Sequence, residues 1–279
     1  MQKKVSFVDL IQKFIDEGDV VLPVFNTAAM KVQQELVKKE PSMQVLINTI
    51  SGDQSLSSQV LQMANSSFYK GLVEVTTIKA AIVRLGMQEV GRIGLLASSK
   101  NQFHTRESEH KIIMRRLWQH SVGCAMGAKW LARRCDLKEL ESEVFFAALF
   151  HDVGKLFVLM VVEQIRKKKK TIKSTSSLLN EAMASLHSNQ GYNLMKKWNI
   201  PESYCIVARD HHIKTFDTKN LMLALVRVAN LVCNKIGVGL KTEPDLVVSS
   251  TEEAQVLNLK ELDLAELEIL LEDTRILTS

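Results

Sequence analysis

Apolar residues recur along most of this chain at intervals of three and four, the spacing that places them on one face of an α-helix. The segment Leu56–Asn65 has apolar residues at positions 56, 60, 61 and 64, and Ile78–Leu85 shows a similar stripe before Gly86 ends it. Residues 7 to about 100 therefore predict a series of short amphipathic helices. The breaks between them are expected at Leu22-Pro23-Val24, at Asn26 or Thr27 as a cap, at Pro41-Ser42 and at Ser51-Gly52-Asp53.

Longer apolar stripes follow the polar stretch Asn101–His110, which we take as the best candidate for a boundary between two lobes. In the stripe from Ile113 to Leu131, His120 lies within the apolar face. Pro201 suits the first turn of a helix. The other predicted helices cover Glu143–Val162 (one helix or a pair), Ser185–Trp198, Pro201–His212, Asn220–Ile236 and Leu262–Leu271.

Composition supports an all-α protein with a packed core. The 279 residues are 46% hydrophobic and 24% charged, with four prolines, twelve glycines and few aromatic residues. Long helices are favoured over many short strands by this scarcity of breakers and aromatics. Length alone is compatible with one large domain or with two packed lobes.

Several classes of protein are disfavoured by the sequence. The longest purely apolar runs, Val144–Phe150 and Leu156–Val162, have seven residues each, whereas a membrane helix needs about 20. Polar residues interrupt Val5–Ile15 at helical spacing, so we expect no secretory signal, no membrane span and a cytoplasmic location. The four cysteines form no C-x-x-C pair, and we expect them to be reduced core or surface residues.

The net charge of +5 is mild for this length and does not favour a nucleic-acid binder. The one dense basic cluster is Arg166-Lys167-Lys168-Lys169-Lys170, which follows an apolar segment. Its cations suit a solvated helix C-terminus. A contact with phosphate or an acidic partner is the alternative.

Candidate chemistry is concentrated in five of the seven histidines, which fall between residues 120 and 212: His120, His151, His187, His211 and His212. His151 stands next to Asp152, and an imidazole and a carboxylate can converge on one divalent ion. Such an ion lowers the pKa of bound water and produces a nucleophile. Each histidine taken singly could equally be hydrogen-bonded within a core, but their grouping predicts a common pocket.

Separated motifs give the chain a resemblance to the HDOD family, the HD-related output domains of bacterial signalling proteins, over most of residues 15–240. The N-terminal motifs are Leu22-Pro23, Leu61–Tyr69 (LQMANSSFY) and Ile78–Gly86 (IKAAIVRLG). The later motifs are Leu117–Ser121 (LWQHS), Phe150–Lys155 (FHDVGK) and Trp198–Pro201 leading to His211-His212. The resemblance implies an all-helical fold of two packed lobes, residues 1–105 and 106–279, with the second lobe similar to HD and HD-GYP phosphohydrolases.

The resemblance also implies a set of metal ligands. His120, His151 and Asp152 match the first metal-binding histidine and the His-Asp pair of the enzymes. The additional histidines of the HD-GYP pattern are matched by His187, His211 and His212, and Lys155 matches the lysine that follows the His-Asp pair. Lys155 is either a phosphate contact or a solvated helix residue. The expected closing aspartate is replaced by Asn230, whose amide brings no charge, and no Gly-Tyr-Pro signature follows His212.

Two functions follow from this incomplete set. The first is a non-catalytic regulatory module that transmits a signal through a protein partner and changed packing between lobes. The second is a metal-dependent phosphohydrolase acting on a nucleotide or cyclic dinucleotide, with one or two Fe, Mn, Mg or Zn ions. A nucleotide ligand is compatible with either function, and no membrane or nucleic-acid partner is expected.

Overall fold

The computed structural model describes residues 6–18, 20–23, 25, 27–69, 71–168 and 175–278, and within them every regular element is helical. The predicted all-α fold class is thereby confirmed. The helices are α1 (Phe7–Asp16), α2 (Thr27–Leu36), α3 (Met43–Ser51), α4 (Gln54–Ala64), α5 (Ile78–Leu85), α6 (Met87–Lys100), α7 (Ser108–Arg134), α8 (Glu141–Phe150), α9 (Val153–Lys168), α10 (Ser176–Lys197), α11 (Glu202–Asp210), α12 (Leu221–Lys235), α13 (Glu252–Val256), α14 (Glu261–Asp273) and α15 (Arg275–Thr278).

Most helix boundaries in the first half coincide with capping residues. The side chains of Ser42, Asp53 and Thr77 each accept a hydrogen bond from the backbone N–H three residues later, as N-caps do. Gly86 ends α5 with a positive φ of 86°, a conformation that glycine adopts without strain. The predictions at Val24, Asn26, Lys169 and Lys170 lie outside the described residues.

Some boundaries in the second half differ from the prediction. Helix α10 begins at Ser176, capped by Thr175, well before the predicted start at Ser185. Pro201 is the N-cap of α11 instead of its first helical residue, and α11 ends before His211. The predicted segment Glu143–Val162 is a pair of helices, α8 and α9.

In the first half of the chain, α6 is the central helix, against which α2, α4 and α5 pack. The Asn65 side chain holds the following loop by donating to the Val75 carbonyl at 2.8 Å and accepting from the Val75 N–H at 3.0 Å. The Asn65-Ser66-Ser67 motif thus has a structural role. Helix α1 packs on α9 and α10, so it covers the second half of the chain.

In the second half, α7 packs against α8, α12 and α14, and α9 packs against α10. The two halves share a continuous apolar core, where the Phe25 ring contacts Phe150 with 5.5 Å between ring centroids. The exact division into lobes at residue 105 stays a prediction.

The run Lys138–Lys168 is long and apolar enough to cross a membrane, but 89% of its most apolar stretch is buried inside the fold. Such burial is typical of the core helix of a globular protein.

A partly buried charge network joins α6 to α7 and α8. Arg92 donates to Glu89 at 2.9 Å and to Glu141 at 3.0 Å, and Lys129 contacts Glu89 at 2.6 Å. Although burial raises the pKa of Glu89, the charges of Lys129 and Arg92 outweigh it and leave this pKa below its ordinary value. A carboxyl with a depressed pKa stabilises the fold above its unfolded pKa, and that contribution is lost as pH falls through the folded value.

Replacing Glu89 with glutamine should destabilise the protein by about 3 kcal/mol, because Lys129 and Arg92 then lose a buried counter-charge. Urea unfolding at pH 7 would measure this change. The matched control is Glu109→Gln, which removes the exposed partner of Arg166 and should cost less than about 1 kcal/mol. Equal effects of the two substitutions would show that the buried network is not a stabilising element.

Candidate metal centre

The His151-Asp152 pair lies in the turn between α8, which ends at Phe150, and α9, which begins at Val153. Both side chains are buried, with 0% and 4% of each residue exposed. The sequence pattern left open one helix or a pair in this segment and did not give the position of a break. The break places the carboxylate among side chains from several other helices.

Four imidazoles face the Asp152 carboxylate from different parts of the chain. The Nε2 atoms of His120 and His151 lie 3.4 and 3.6 Å from its Oδ2. Those of His187 and His211 lie 3.5 and 3.3 Å from its Oδ1. The predicted common pocket is therefore present, and helices α7 and α10 and the turns after α8 and α11 build it.

Backbone carbonyls fix the orientation of all four rings. Each imidazole directs its Nδ1 to a carbonyl oxygen: His120 to Val238 at 2.9 Å, His151 to Ala148 at 2.7 Å, His187 to Met183 at 2.7 Å and His211 to Ala208 at 2.9 Å. A carbonyl only accepts, so Nδ1 carries the hydrogen and a neutral ring keeps a lone pair on Nε2. This is the orientation that outer hydrogen bonds give to metal-binding histidines.

Burial disfavours the charged form of His120, His151 and His187. It lowers the pKa of His151 well below its ordinary range and that of His187 to about 4. Burial by itself would raise the pKa of Asp152, but the neighbouring charge of Lys155 helps to hold it well below its ordinary value. At neutral pH these three rings therefore offer imidazole lone pairs beside one carboxylate anion.

These groups fit a divalent cation. Neither Asp152 Oδ1 nor His151 Nε2 has a hydrogen-bond partner among the residues that the structure describes, although both atoms are buried and buried polar atoms are normally paired. Asp152 belongs to two sets of donor atoms that each lie within 4.8 Å of one another. The first set is His120, His151 and Asp152, and the second is Asp152, His187, His211 and His212.

Asn230 points inward, as predicted, with 4% of the residue exposed on α12. One helical turn further along, Cys233 forms a third donor group with His120 and Cys124. The Cys124 thiol lies 3.5 Å from His120 Nε2. The sequence analysis did not assign these cysteines to the pocket, although Cys124 lies one turn after His120 on the same stripe. All four cysteines are free thiols.

Lys155 is a largely buried residue that contacts the pocket, not a solvated helix residue. Its ammonium contacts Asp152 Oδ2 at 2.5 Å, and its side chain is 15% exposed. Lys155 also lines a cavity of about 580 Å³ together with His187, His212, Glu181 and Lys241. The second donor set therefore faces a cavity large enough for a small molecule.

Close contact between two helices positions the pocket. Gly154 on α9 packs directly against Gly191 and the His187 carbonyl on α10, and a Cβ atom at Gly154 would lie 1.9 Å from that oxygen. This approach holds the His151-Asp152 turn against His187. No side chain larger than hydrogen fits at position 154 without moving α9 from α10.

Comparison with known proteins places the chain in a family. The HDOD domain model matches residues 22–214. A crystal structure of an HDOD domain protein with unknown function from Geobacter sulfurreducens matches with a TM-score of 0.73 and 20% identity, over 97% of this chain and 95% of that one.

Two further crystal structures share the fold. A Shewanella amazonensis SB2B protein, provisionally assigned as a metal-dependent phosphohydrolase, matches with a TM-score of 0.63 and 17% identity, over 95% of this chain and 97% of that one. A Marinobacter aquaeolei VT8 protein, provisionally assigned to signal transduction, matches with a TM-score of 0.71 and 19% identity, over 98% of this chain and 65% of that one. At these identities the matches establish the fold alone.

A curated relative is an uncharacterized protein of Treponema pallidum (strain Nichols), 19% identical over 196 residues. The match covers 68% of this chain and 37% of the relative, so the chain spans a little over a third of that protein's length.

Proposed function

This chain belongs to the HDOD domain family, and from that membership and its pocket we propose that it is a cytoplasmic signal-transduction module that binds a divalent metal ion without hydrolysing a substrate. The observation that carries the proposal is the set of four oriented imidazoles around a single buried carboxylate. The Marinobacter protein of the same fold, provisionally assigned to signal transduction, supports the regulatory part.

The donor set favours particular ions. Imidazole nitrogens suit Zn²⁺ and Fe²⁺, whereas Mg²⁺ prefers carboxylate, carbonyl and water oxygens. Asp152 supplies one negative charge, which favours one bound ion over two. The first candidate set is His120, His151 and Asp152, and the second is Asp152, His187, His211 and His212.

The same charge balance disfavours catalysis. A bound divalent ion would supply Lewis acidity and an activated water. In this chain Asn230 contributes no anion to balance that charge or to accept a proton. The further donors beside His120 are the thiols of Cys124 on α7 and Cys233 on α12. Lys155 pairs with Asp152 and so reduces the charge that the carboxylate offers to an ion.

Signal output would then come from a change of packing. Metal or ligand binding shifts the balance between two arrangements of the lobes when one arrangement binds more tightly. The partner that senses this change is proposed to be a signalling protein.

Phosphohydrolase activity is the second candidate, and the cavity beside the second donor set is the observation that favours it. Lys155 and Lys241 both line this cavity near His187, where they could neutralise phosphate oxygens. The substrate would be a nucleotide or a cyclic dinucleotide. Turnover assays with Zn²⁺, Fe²⁺ or Mn²⁺ separate the two candidates: the proposal expects none above background, and turnover that disappears in His151→Ala would establish the enzyme.

Restoring the carboxylate at position 230 tests why the pocket is inactive. We expect Asn230→Asp to tighten metal binding by at least ~10-fold, since about 1.4 kcal/mol of added ionic attraction is sufficient for that change. Without metal the variant should be less stable, because it buries an unpaired carboxyl. Metal titration and urea unfolding measure the two effects.

Asn234→Asp is the matched control, because it adds the same charge one turn along α12. Asn234 is also buried, with 7% of the residue exposed. Equal metal affinity in wild type and Asn230→Asp would contradict the importance of the missing carboxylate.

A further inference from the structure

A second cavity, of about 630 Å³, lies between α4, the segment after α6, and α7. Its volume falls within the range of small-molecule binding sites. None of the histidines of the metal centre lines it. We call it the linker cavity, because Phe103, His104 and Thr105, which lie between α6 and α7, line it.

Cations dominate the charge of the linker cavity. Lys100, Lys111 and Arg115 line it, and no Asp or Glu is among its lining residues. None of these three side chains has a hydrogen bond or ion pair with another described residue, and all three residues are exposed. Three unpaired cations around one concavity favour an anionic ligand, and an arginine suits a phosphate group in particular.

The inner wall of the cavity is aromatic and apolar. Phe103 and Trp118 lie with their ring centroids 5.1 Å apart, and Met63 and Met114 complete this wall. Trp118 is 3% exposed, and its buried indole N–H has no acceptor among the described residues. An apolar wall with an unsatisfied donor favours a flat ring that carries acceptor atoms.

Gln59 and Gln62 on α4 also line the cavity, and the Gln59 amide donates one hydrogen bond to the Ser55 hydroxyl at 3.1 Å. An amide offers both donors and an acceptor, which matches the edge of a nucleobase. From the cations, the aromatic wall and these amides, we propose that the linker cavity binds a nucleotide, with its phosphates on Lys100, Lys111 and Arg115 and its base against Phe103 and Trp118.

This site goes beyond the proposed function and does not require a metal ion. Trp118 and His120 are two positions apart on α7, so their side chains leave the helix about 200° apart. The linker cavity and the metal centre therefore lie on different sides of α7. Each site can be disabled while the other is left intact.

Binding of AMP, GMP, ATP and GTP to the full chain should be measured in EDTA by titration calorimetry and tryptophan fluorescence. We expect saturable binding by at least one nucleotide, and at least ~10-fold weaker binding in Arg115→Ala, the loss expected for one charge-assisted hydrogen bond. The matched control, Arg116→Ala, removes an exposed neighbouring arginine that does not line the cavity and should leave binding unchanged. His187→Ala should also leave binding unchanged.

Two further measurements locate the ligand and test its base. A fluorescence change on binding should disappear in Trp118→Phe, since Trp130 and Trp198 do not line the cavity. Inorganic tripolyphosphate should bind more weakly than ATP. The proposal is overturned if no nucleotide binds, if Arg115→Ala and Arg116→Ala bind alike, if the fluorescence change survives in Trp118→Phe, or if binding is lost in His187→Ala.

Discussion

Replacing Asp152 with asparagine is expected to weaken divalent metal binding by more than ~100-fold. Removing a residue that only hydrogen-bonds a metal ligand already lowers metal affinity by up to about 100-fold, and Asp152 is itself a proposed ligand. The reason is that Asp152 is the carboxylate common to both donor sets and supplies their negative charge. An amide of the same shape keeps the packing but cannot neutralise an ion. Competition against a chromophoric chelator with Zn²⁺ would measure the affinity.

Glu181→Gln is the control for this variant. Glu181 lines the adjacent cavity but belongs to neither donor set, so its replacement removes one negative charge nearby without removing a ligand. Urea unfolding of both variants would establish that they are folded. Tight metal binding that persists in Asp152→Asn would place the ion elsewhere in the protein.

The second large effect is expected from Gly154→Ala, which should destabilise the protein by about 3 kcal/mol and weaken metal binding at the same time. The added Cβ would lie 1.9 Å from the His187 carbonyl and 2.7 Å from the Gly191 nitrogen, both of which are backbone atoms. The α9–α10 contact must therefore open, and the His151-Asp152 turn moves away from His187. Urea unfolding and metal titration on one preparation would record both consequences.

Gly94→Ala is the matched control, because Gly94 is also a buried helical glycine. A Cβ there would meet Ile50 at 3.5 Å, an ordinary van der Waals distance. We expect this control to be neutral or slightly stabilising, since alanine favours a helix over glycine by about 1 kcal/mol. If Gly154→Ala behaved like Gly94→Ala, the two helices would not depend on their close contact.

Local signals made much of the fold predictable from the sequence. Gly86 ends α5 where a stop was expected, and the apolar stripe around His120 is buried in α7. Such signals act within a few residues, so they do not require knowledge of packing. Helix α10 was predicted too short, although Leu179, Ala182 and Met183 lie at helical spacing in its first turns and are buried, and Thr175 supplies the cap.

The metal centre was predictable in its membership but not in its geometry. The histidines were chosen from their spacing and family resemblance, and the structure brings them together around Asp152. The position of the helix break at His151 was not predicted, and neither was the contact that Lys155 makes with Asp152, three residues earlier. Cys124 lies one turn from His120 on α7, whereas Cys233 approaches His120 only because α12 packs on α7.

The linker cavity could not be predicted because its walls come from segments far apart in the chain. Gln62 on α4 and Arg115 on α7 have no common motif, and each alone is typical of a solvated helix surface. The packing of the two halves places them around one concavity. That several unpaired cations surround one cavity can be recognised only from the folded structure.

The most direct measurement is the metal content of the purified wild-type chain after exposure to Zn²⁺ or Fe²⁺ and removal of free ion. Oriented imidazoles around Asp152 predict about one tightly held ion per chain, removable by a chelator without unfolding the protein. A chain that retains no ion after exposure to either metal would contradict the metal centre.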